Sequence, residues 1–327
     1  MPVTAIPTVV PAEPELLNAA RSGDGVAFQR LVAPHLRALH VHCYRMLGSY
    51  HDAEEALQET LLRAWRALDG YEGRAPLLHW LYRIATTTCL KALAGRARLP
   101  ATVDEVDYLQ PYPDRLLDEL SAEADPAAEA ERRESVSLAF VTALQLLPAT
   151  QLAVVILRDV LDWSSAEVAE LLDTTVPAVN SALQRARATL RRAAPASARP
   201  LAADDGAVVS RFVQAWHRRD IAGLAALLRE DVIMRMPPER MELRGRAAVV
   251  GFFASVPADG RLETIRLLVT RANGQPALAA FDTDDAGQWR PYGIMLLTIA
   301  DDAVTSVTGF PDFHDPVLFD AFGLAPG

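Results

Sequence analysis

The residues between Thr174 and Ala194 include four arginines and no acidic residue. At helical spacing, one apolar face is formed by Val179, Ala182, Leu183, Ala186 and Leu190. Short polar groups near the start of a helix suit base edges in a major groove, and arginines farther along suit phosphates. The opposite face of this helix therefore predicts contacts to duplex DNA from Thr175, Pro177, Asn180, Ser181, Gln184, Arg185, Arg187 and Arg191.

The residues before this helix have the pattern of a helix-turn-helix. Ser164 and Glu167 have the spacing of a capping box, which begins a first helix. Asp173-Thr174-Thr175 supplies a short break, and Pro177 suits the first turn of the second helix, where no intrahelical N–H is needed. The alternative is an ordinary amphipathic helix with a solvated basic face. The short turn after a capped helix favours DNA binding.

Composition limits the classes of protein to which the chain can belong. Its 327 residues predict two or three domains, and 50% hydrophobic with 23% charged residues is typical of a soluble globular protein. No apolar stretch approaches the length that spans a bilayer, and the first residues lack the basic region of a signal peptide. The two cysteines, Cys43 and Cys89, are too few for a disulfide framework and are not spaced as metal ligands. We expect a cytoplasmic protein without a metal or cofactor.

The net charge of −10 is unevenly distributed along the chain. Residues 101–131 hold ten acidic residues and one basic residue, whereas residues 1–100 and 132–200 are each slightly basic. Local charge decides whether a segment can contact phosphates, so the overall acidity does not exclude nucleic acid as a partner. The acidic segment also contains several prolines, which predicts an extended linker.

Periodicity divides the chain into helical and β-rich parts. An amphipathic helix is predicted over Asp52–Leu68, with Asp52 and Glu55 as its capping box, and another begins near Leu77 after a glycine-rich break. Beyond residue 205, short helical patterns lead into strand-like runs, and Asn273-Gly274 between two of them is a hairpin signal. We predict a disordered lead (1–13), a helical domain (14–98), an acidic linker (99–132), a helix-turn-helix domain (133–194), a second linker (195–204) and an α+β domain (205–322).

Residues 52–68 (DAEEALQETLLRAWRAL) and 71–93 (YEGRAPLLHWLYRIATTTCLKAL) resemble the N-terminal domain of extracytoplasmic-function sigma factors. Residues 147–190 look like the promoter-binding domain of the same family. Residues 209–238 are similar to the opening of SnoaL-like domains of the NTF2-like fold, which a subset of these factors carries. The resemblance implies two all-α sigma domains followed by an α+β NTF2-like cone. It also implies an alternative sigma factor that binds the clamp helices and flap of core RNA polymerase and directs initiation at specific promoters.

The resemblance also assigns roles to residues. It implies polymerase contacts from Asp52, Glu55, Gln58 and Glu59, for which a solvated helix face is the alternative. It implies contacts to the melted minus-ten element from Tyr71, Gly73, Arg74, Trp80, Arg83, Thr86 and Thr87, although Trp80 equally suits a core position. The helix-turn-helix residues would read the minus-35 element. In relatives the linker threads the polymerase near the RNA exit path, and a plain solubilising tether is the alternative.

The C-terminal domain could hold a pocket. Its candidate lining residues are Trp216, Met236, Phe252, Phe281, Tyr292 and Phe310, although such positions also suit a plain core. Asp231, His217 and His314 are the available general bases, but they form no catalytic constellation. We therefore expect a non-enzymatic domain that regulates the sigma domains, with an anti-sigma factor or small ligand as a further partner and no membrane partner. Two alternatives stay open: a helix-turn-helix regulator that does not dock on polymerase, and a cyclase- or isomerase-type enzyme fused to a DNA-binding module.

Overall fold

The computed structural model describes residues 13–96, 109–119, 133–193, 205–237, 239–284, 286–311 and 316–324. The α-helices of these ranges include α1 (Glu13–Arg21), α2 (Gly25–Val32), α3 (Leu36–Leu47), α4 (Tyr50–Ala67), α5 (Leu77–Arg96), α6 (Asp114–Asp118), α7 (Leu138–Leu144), α8 (Ala149–Val155), α9 (Ser165–Leu171), α10 (Val176–Ala193), α11 (Asp205–His217), α12 (Ile221–Leu227), α13 (Arg246–Ser255) and α14 (Pro316–Ala321). The strands are β1 (Leu228–Met236), β2 (Glu239–Arg244), β3 (Arg266–Ala272), β4 (Gln275–Thr283), β5 (Trp289–Ala300) and β6 (Ala303–Pro311). Helical domains followed by an α+β domain confirm the predicted fold class.

Helices α1 to α5 form the first helical domain, in which α3, α4 and α5 pack on one another. Helix α4 begins one turn earlier than predicted, because Ser49 rather than Asp52 is its N-cap. The Ser49 hydroxyl accepts the backbone N–H of Asp52 at 3.2 Å, which satisfies a donor that the helix itself cannot pair. The predicted capping box of Asp52 and Glu55 is therefore wrong.

Helices α7 to α10 form the helix-turn-helix domain. Helix α8 continues into a π-helical turn over Ile156–Val160. The predicted capping box of α9 is confirmed, with the Ser164 hydroxyl accepting the Glu167 N–H at 3.2 Å and the Glu167 carboxylate accepting the Ser164 N–H at 2.7 Å. Helix α10 begins at Val176, so Pro177 lies in its first turn as predicted.

The C-terminal domain is a six-stranded sheet in the order β2-β1-β6-β5-β4-β3, packed against α11, α12 and α13. Strand β1 pairs in parallel with β6, and the other pairs are antiparallel. The Asn273-Gly274 turn joins β3 and β4 as predicted. Strand β2 was not predicted, because four of its six residues are charged, although Met241 and Leu243 alternate in the way a half-buried strand requires.

Both faces of the sheet are buried. Leu278, Ala280 and Leu297 face the helices α11 to α13. The opposite face joins the hydrophobic core of the helical domains and is also covered by α14, where Phe319 packs edge-on against Phe281 at 5.2 Å between ring centroids. The outer face of the sheet is therefore an interface within the chain.

The described part of the acidic linker is packed between the domains. Tyr112 is fully buried, and its hydroxyl lies 2.9 Å from His40 Nδ1 of α3. Arg115 donates to the carbonyls of Asp320 and Ala321 beside α14, at 3.0 and 2.6 Å. Residues 109–119 thus form a packed strap, whereas the sequence predicted an extended linker. The rest of the predicted linker lies outside the described residues.

Candidate nucleic-acid and polymerase interface

The outer face of α10 is open to solvent. Its inner face is anchored by Val179, Ala182, Leu183 and Ala186, all of them buried. The predicted minus-35 residues are exposed without exception: Thr175, Pro177, Asn180, Ser181, Gln184, Arg185, Arg187 and Arg191. The amphipathic period therefore places this whole set on one accessible surface.

Two residues of this surface are held by neighbours in their own domain. Asn180 Oδ1 accepts the Ser165 hydroxyl at 2.8 Å, which connects the two helices of the helix-turn-helix. Arg187 forms a two-point ion pair with Asp159, at 2.6 and 2.9 Å, and this hydrogen bonding raises the pKa of Arg187. Arg187 is thus oriented by Asp159 before any DNA is present, whereas Arg185 and Arg191 extend freely from the domain.

The predicted polymerase-binding residues lie along α4 but differ in their surroundings. Asp52 pairs with Arg96 of α5, and Glu59 pairs with Arg63 at 2.6 Å one turn later. Glu55 and Gln58 are exposed. One turn beyond Gln58, Leu62 is 52% exposed, which is unusual for a large apolar side chain next to polar ones. Sequence reasoning did not single out Leu62, although it follows Glu55 by two helical turns.

The loop after α4 is anchored by Tyr71. Its ring is buried 5.2 Å from Trp80, its hydroxyl donates to Ala75 O at 2.7 Å, and its carbonyl accepts from Arg21 of α1. Tyr71 therefore shapes the loop and does not present a free ring to a base, contrary to prediction. Gly73, with φ of +71°, and Arg74, 85% exposed beside Glu72, remain accessible.

Helix α5 presents only part of its predicted DNA-binding set. Thr86 is fully buried, and its hydroxyl lies 2.9 Å from His42 Nε2, so Thr86 cannot contact a DNA strand. Burial, and then the nearby Arg45, lower the pKa of His42 to about 3, so His42 is neutral at pH 7. Thr87 is exposed and donates to Arg83 O at 2.9 Å. Trp80 is half-buried against Tyr71, between the core and surface alternatives.

The helix-turn-helix domain covers this same side of α5. The Arg83 guanidinium donates to Glu170 of α9 at 2.9 Å. One turn earlier, the imidazole of His79 stacks on the indole of Trp163, with centroids 4.7 Å apart and planes inclined by 16°. Sequence reasoning missed His79, Trp163 and Glu170, because nothing in the spacing of either domain indicates that the two would meet.

The Asn273-Gly274 turn is the point where all the parts of the chain meet. Asn273 is fully buried, and its side-chain amide donates to the Tyr44 hydroxyl (2.8 Å) and to Val136 O (2.7 Å). Its Oδ1 accepts the Tyr112 N–H at 2.8 Å, and its own N–H donates to Tyr112 O at 2.9 Å. One side chain thus bonds to α3, to the linker strap and to the segment before α7. The sequence predicted the turn but carried no signal for its burial.

A buried carboxylate, that of Asp114, binds the second residue of the turn, Gly274. Asp114 accepts the Gly274 N–H at 2.8 Å and pairs with Arg271 at 3.2 Å. Burial raises the pKa of Asp114, and the bond from Gly274 and the charge of Arg271 act in the opposite direction. Between the two helical domains themselves, the buried Arg45 of α3 donates to Ser135 O at 3.2 Å.

The predicted pocket residues do not share one site. Trp216, Met236, Phe252 and Tyr292 belong to the core between the sheet and α11 to α13. Phe281 and Phe310 lie on the other face of the sheet, so they cannot line the same pocket, contrary to prediction. The alternation of β4 and β6 places both residues toward α14 and the helical domains.

The candidate general bases are placed apart from one another. Asp231 is exposed and ion-paired with Arg229, which lowers the pKa of Asp231. His217 Nε2 accepts the Leu267 N–H at 3.1 Å, and burial lowers the pKa of His217. His314 lies outside the described residues. Within the described ranges, no cluster of His, Cys, Asp or Glu is arranged to hold a metal, and no helix is long and apolar enough to cross a membrane.

Comparison with known proteins matches each part of the chain to a family. Residues 31–99 match sigma-70 region 2, residues 137–190 match sigma-70 region 4, and residues 209–307 match the SnoaL-like domain. The ECF RNA polymerase sigma factor SigG of Mycobacterium tuberculosis is 42% identical over 330 residues, covering 93% of this chain and 85% of that protein.

Two further relatives agree with these assignments. ECF RNA polymerase sigma factor SigM of M. tuberculosis is 31% identical over 181 residues, which cover 55% of this chain and 84% of SigM. The crystal structure of M. tuberculosis SigJ, an extracytoplasmic function sigma factor, is similar in fold. It has a TM-score of 0.59 and 22% identity, and the match covers 88% of this chain and 97% of that one. Because both sigma regions match in order and SigG is 42% identical over 93% of this chain, the chain belongs to the extracytoplasmic-function sigma factor family.

Proposed function

We propose that the chain binds core RNA polymerase through α4 and directs it to promoters. In this proposal α10 reads the minus-35 element, and α5 with the loop after α4 holds the melted minus-ten strand. The C-terminal domain modulates this activity by holding the two sigma domains together. The protein would then act in the cytoplasm, where bacterial transcription takes place.

The observation that carries the proposal is the difference between the two DNA-binding faces. The minus-35 residues of α10 are exposed, whereas Arg83 of the minus-ten helix is paired with Glu170. A DNA strand must compete with Glu170 for Arg83 while α9 lies against α5. Because Asn273 bonds to both sigma domains and the strap, docking of the C-terminal domain supports the covered arrangement. Polymerase binding would have to separate these contacts before the minus-ten strand is held.

We further propose that the C-terminal domain is not catalytic. Asp231 is solvent-exposed in its ion pair, and His217 already accepts a backbone N–H, so neither faces a shared site with the aromatic core residues. The two faces of the sheet are instead used for packing. A scaffold that contacts other domains needs such packing, whereas an enzyme of this fold needs a general base inside its cavity.

Reconstituted transcription tests the proposal. Full-length chain and a chain that ends at Arg199 are each combined with core polymerase on a promoter library. We expect both forms to bind core polymerase and to differ in promoter output. A pulldown with core polymerase separates this function from that of a helix-turn-helix regulator. Absence of binding to core polymerase would refute the proposal, and equal output from both forms would refute the modulating role.

A further inference from the structure

Two contacts between the sigma domains lie one turn apart on α5. His79 and Arg83 are four residues apart, so their side chains share a face of the helix, about 6 Å apart along its axis. His79 stacks on the Trp163 ring, and Arg83 donates to Glu170 Oε1 at 2.9 Å. A planar ring and an anion thus lie side by side on this face of α5.

These two partners are presented by the start and the body of α9. Trp163 immediately precedes the Ser164 N-cap and is 2% exposed, with its indole N–H unpaired among the described residues. Glu170 lies in the second turn of α9 and is 70% exposed. Glu170 is not part of the capping box, so its carboxylate is free to meet Arg83.

A nucleotide offers the same two features, a flat base beside an anionic phosphate. Bases stack on aromatic side chains in single-stranded complexes, and the arginine fork matches phosphate geometry. We propose that His79 and Arg83 form a binding site for one nucleotide unit of single-stranded DNA, and that Trp163 and Glu170 occupy this site as an internal nucleotide mimic. This inference rests on the proposed function, because it places the site on the minus-ten helix.

The surroundings favour His79 over the adjacent Trp80 as the ring on which a base would stack. Trp80 turns toward Tyr71, with ring centroids 5.2 Å apart, and Tyr71 is buried, so neither ring is free on the side facing α9. The ring of His79 is used only by Trp163 among the described aromatic contacts. When α9 moves away, His79 and Arg83 are uncovered together.

The anionic half of the mimic is held weakly. The Arg83 and Glu170 side chains are 36% and 70% exposed, and such an ion pair contributes little to stability. A phosphate can therefore replace the carboxylate without disturbing the core. The contact masks the site without locking it, which suits a segment that must yield when the promoter melts.

Binding of a mixed-sequence, fluorescein-labelled single-stranded DNA of about 12 nucleotides to the full chain tests this inference by anisotropy. Glu170→Gln removes the anionic half of the mimic, and we expect it to tighten binding about twofold to fivefold, the range that loss of an exposed ion pair supplies. Glu263→Gln, an exposed carboxylate in the C-terminal domain, makes the same change of charge elsewhere and is the matched control. An equal gain from both variants would mean that only the net charge matters and would overturn the mimic.

The stack is tested in the Glu170→Gln background. His79→Ala should lose binding by between about fivefold and a hundredfold, the range expected for one stacked base, and His79→Phe should retain binding because the ring is kept. Arg83→Gln should weaken binding and lower its salt dependence, which follows from the loss of one phosphate contact. Equal binding by the Ala and Phe variants would overturn the assignment of His79. Circular dichroism confirms that each variant is folded.

Transcription with core polymerase separates this inference from the proposed function. If wild-type chain initiates at promoters but His79→Ala does so equally well with unchanged strand affinity, the nucleotide site is refuted and the sigma function stands. If wild-type chain shows no activity with core polymerase while the binding pattern holds, the site stands and the proposed function is refuted.

Discussion

Asn273→Gly isolates the hydrogen bonds of the interdomain turn from its backbone geometry. Asn273 has a φ of +53°, which glycine adopts without strain, so the substitution leaves the turn intact. The backbone bond from residue 273 to Tyr112 O is also kept. What is lost is the amide that joins Tyr44, Tyr112 and Val136.

The expected loss of docking free energy follows from the hydrogen bonds that these partners retain in the variant. The Tyr44 hydroxyl keeps its bond to Gln110 O at 2.9 Å. The Tyr112 N–H and the Val136 carbonyl lose the partner that Asn273 supplied in a buried site, at a cost of about 1 to 3 kcal/mol each. Docking of the turn should therefore weaken by about 2 to 6 kcal/mol, a factor of roughly thirty at the least.

Hydrogen exchange over residues 109–119 measures this loss, because the Tyr112 amide is protected by Asn273 Oδ1. We expect protection to fall at least tenfold and promoter output with core polymerase to change in the same variant. Asp302→Gly is the matched control, since Asp302 has a φ of +57° in an exposed turn of the same sheet. Unchanged protection in Asn273→Gly, or an equal change in Asp302→Gly, would refute the role given to Asn273.

Three further variants test other parts of the structure. Arg185→Ala should weaken duplex binding and lower the slope of log affinity against log salt by about one, and an unchanged slope would exclude a phosphate contact. Thr86→Val should destabilise the chain by about 1 to 3 kcal/mol in urea unfolding, because it breaks a buried bond to His42. It should leave the minus-ten base preference unchanged, and an altered preference would contradict the burial of Thr86. Since the folded pKa of His42 is depressed to about 3, its contribution to stability is present above pH 6.5 and is lost at up to about 1.4 kcal/mol per pH unit as the pH falls toward 3. His42→Gln should reduce that slope between pH 6.5 and 4, and an identical pH profile in both proteins would contradict the assignment.

Elements with a strong local signal could be predicted from the sequence. The capping box at Ser164 and the apolar stripe of α10 determine where these helices begin and which face is exposed. The helical phase of α5 also indicates which of its polar residues are buried. Tyr82 and Cys89 are buried, and Thr86 lies four residues after one and three before the other, so it shares their face. The family resemblance implied DNA contact from Thr86, whereas the helical phase indicates its burial.

Contacts between domains could not be predicted, because each depends on a partner far away in the chain. The average composition of the linker is acidic, yet the strap it contains has buried apolar groups such as Tyr112 and Leu117. In the C-terminal domain, strand alternation identifies an inner face only when the other face is polar. With both faces buried, Phe281 could not be distinguished from a residue of the helix-side core.

The two kinds of contact that hold the covered arrangement respond differently to conditions. The bonds of Asn273 are buried and neutral, so added salt has little effect on them, whereas the exposed Arg83–Glu170 pair is screened. A ligand shifts an equilibrium only by the difference in its affinity for the two states. Salt or a competing phosphate can therefore separate Arg83 from Glu170 at low cost. Moving the buried Trp163 away from His79 and releasing the strap require a partner that compensates for the lost contacts. We expect a polymerase that binds the strap to be such a partner.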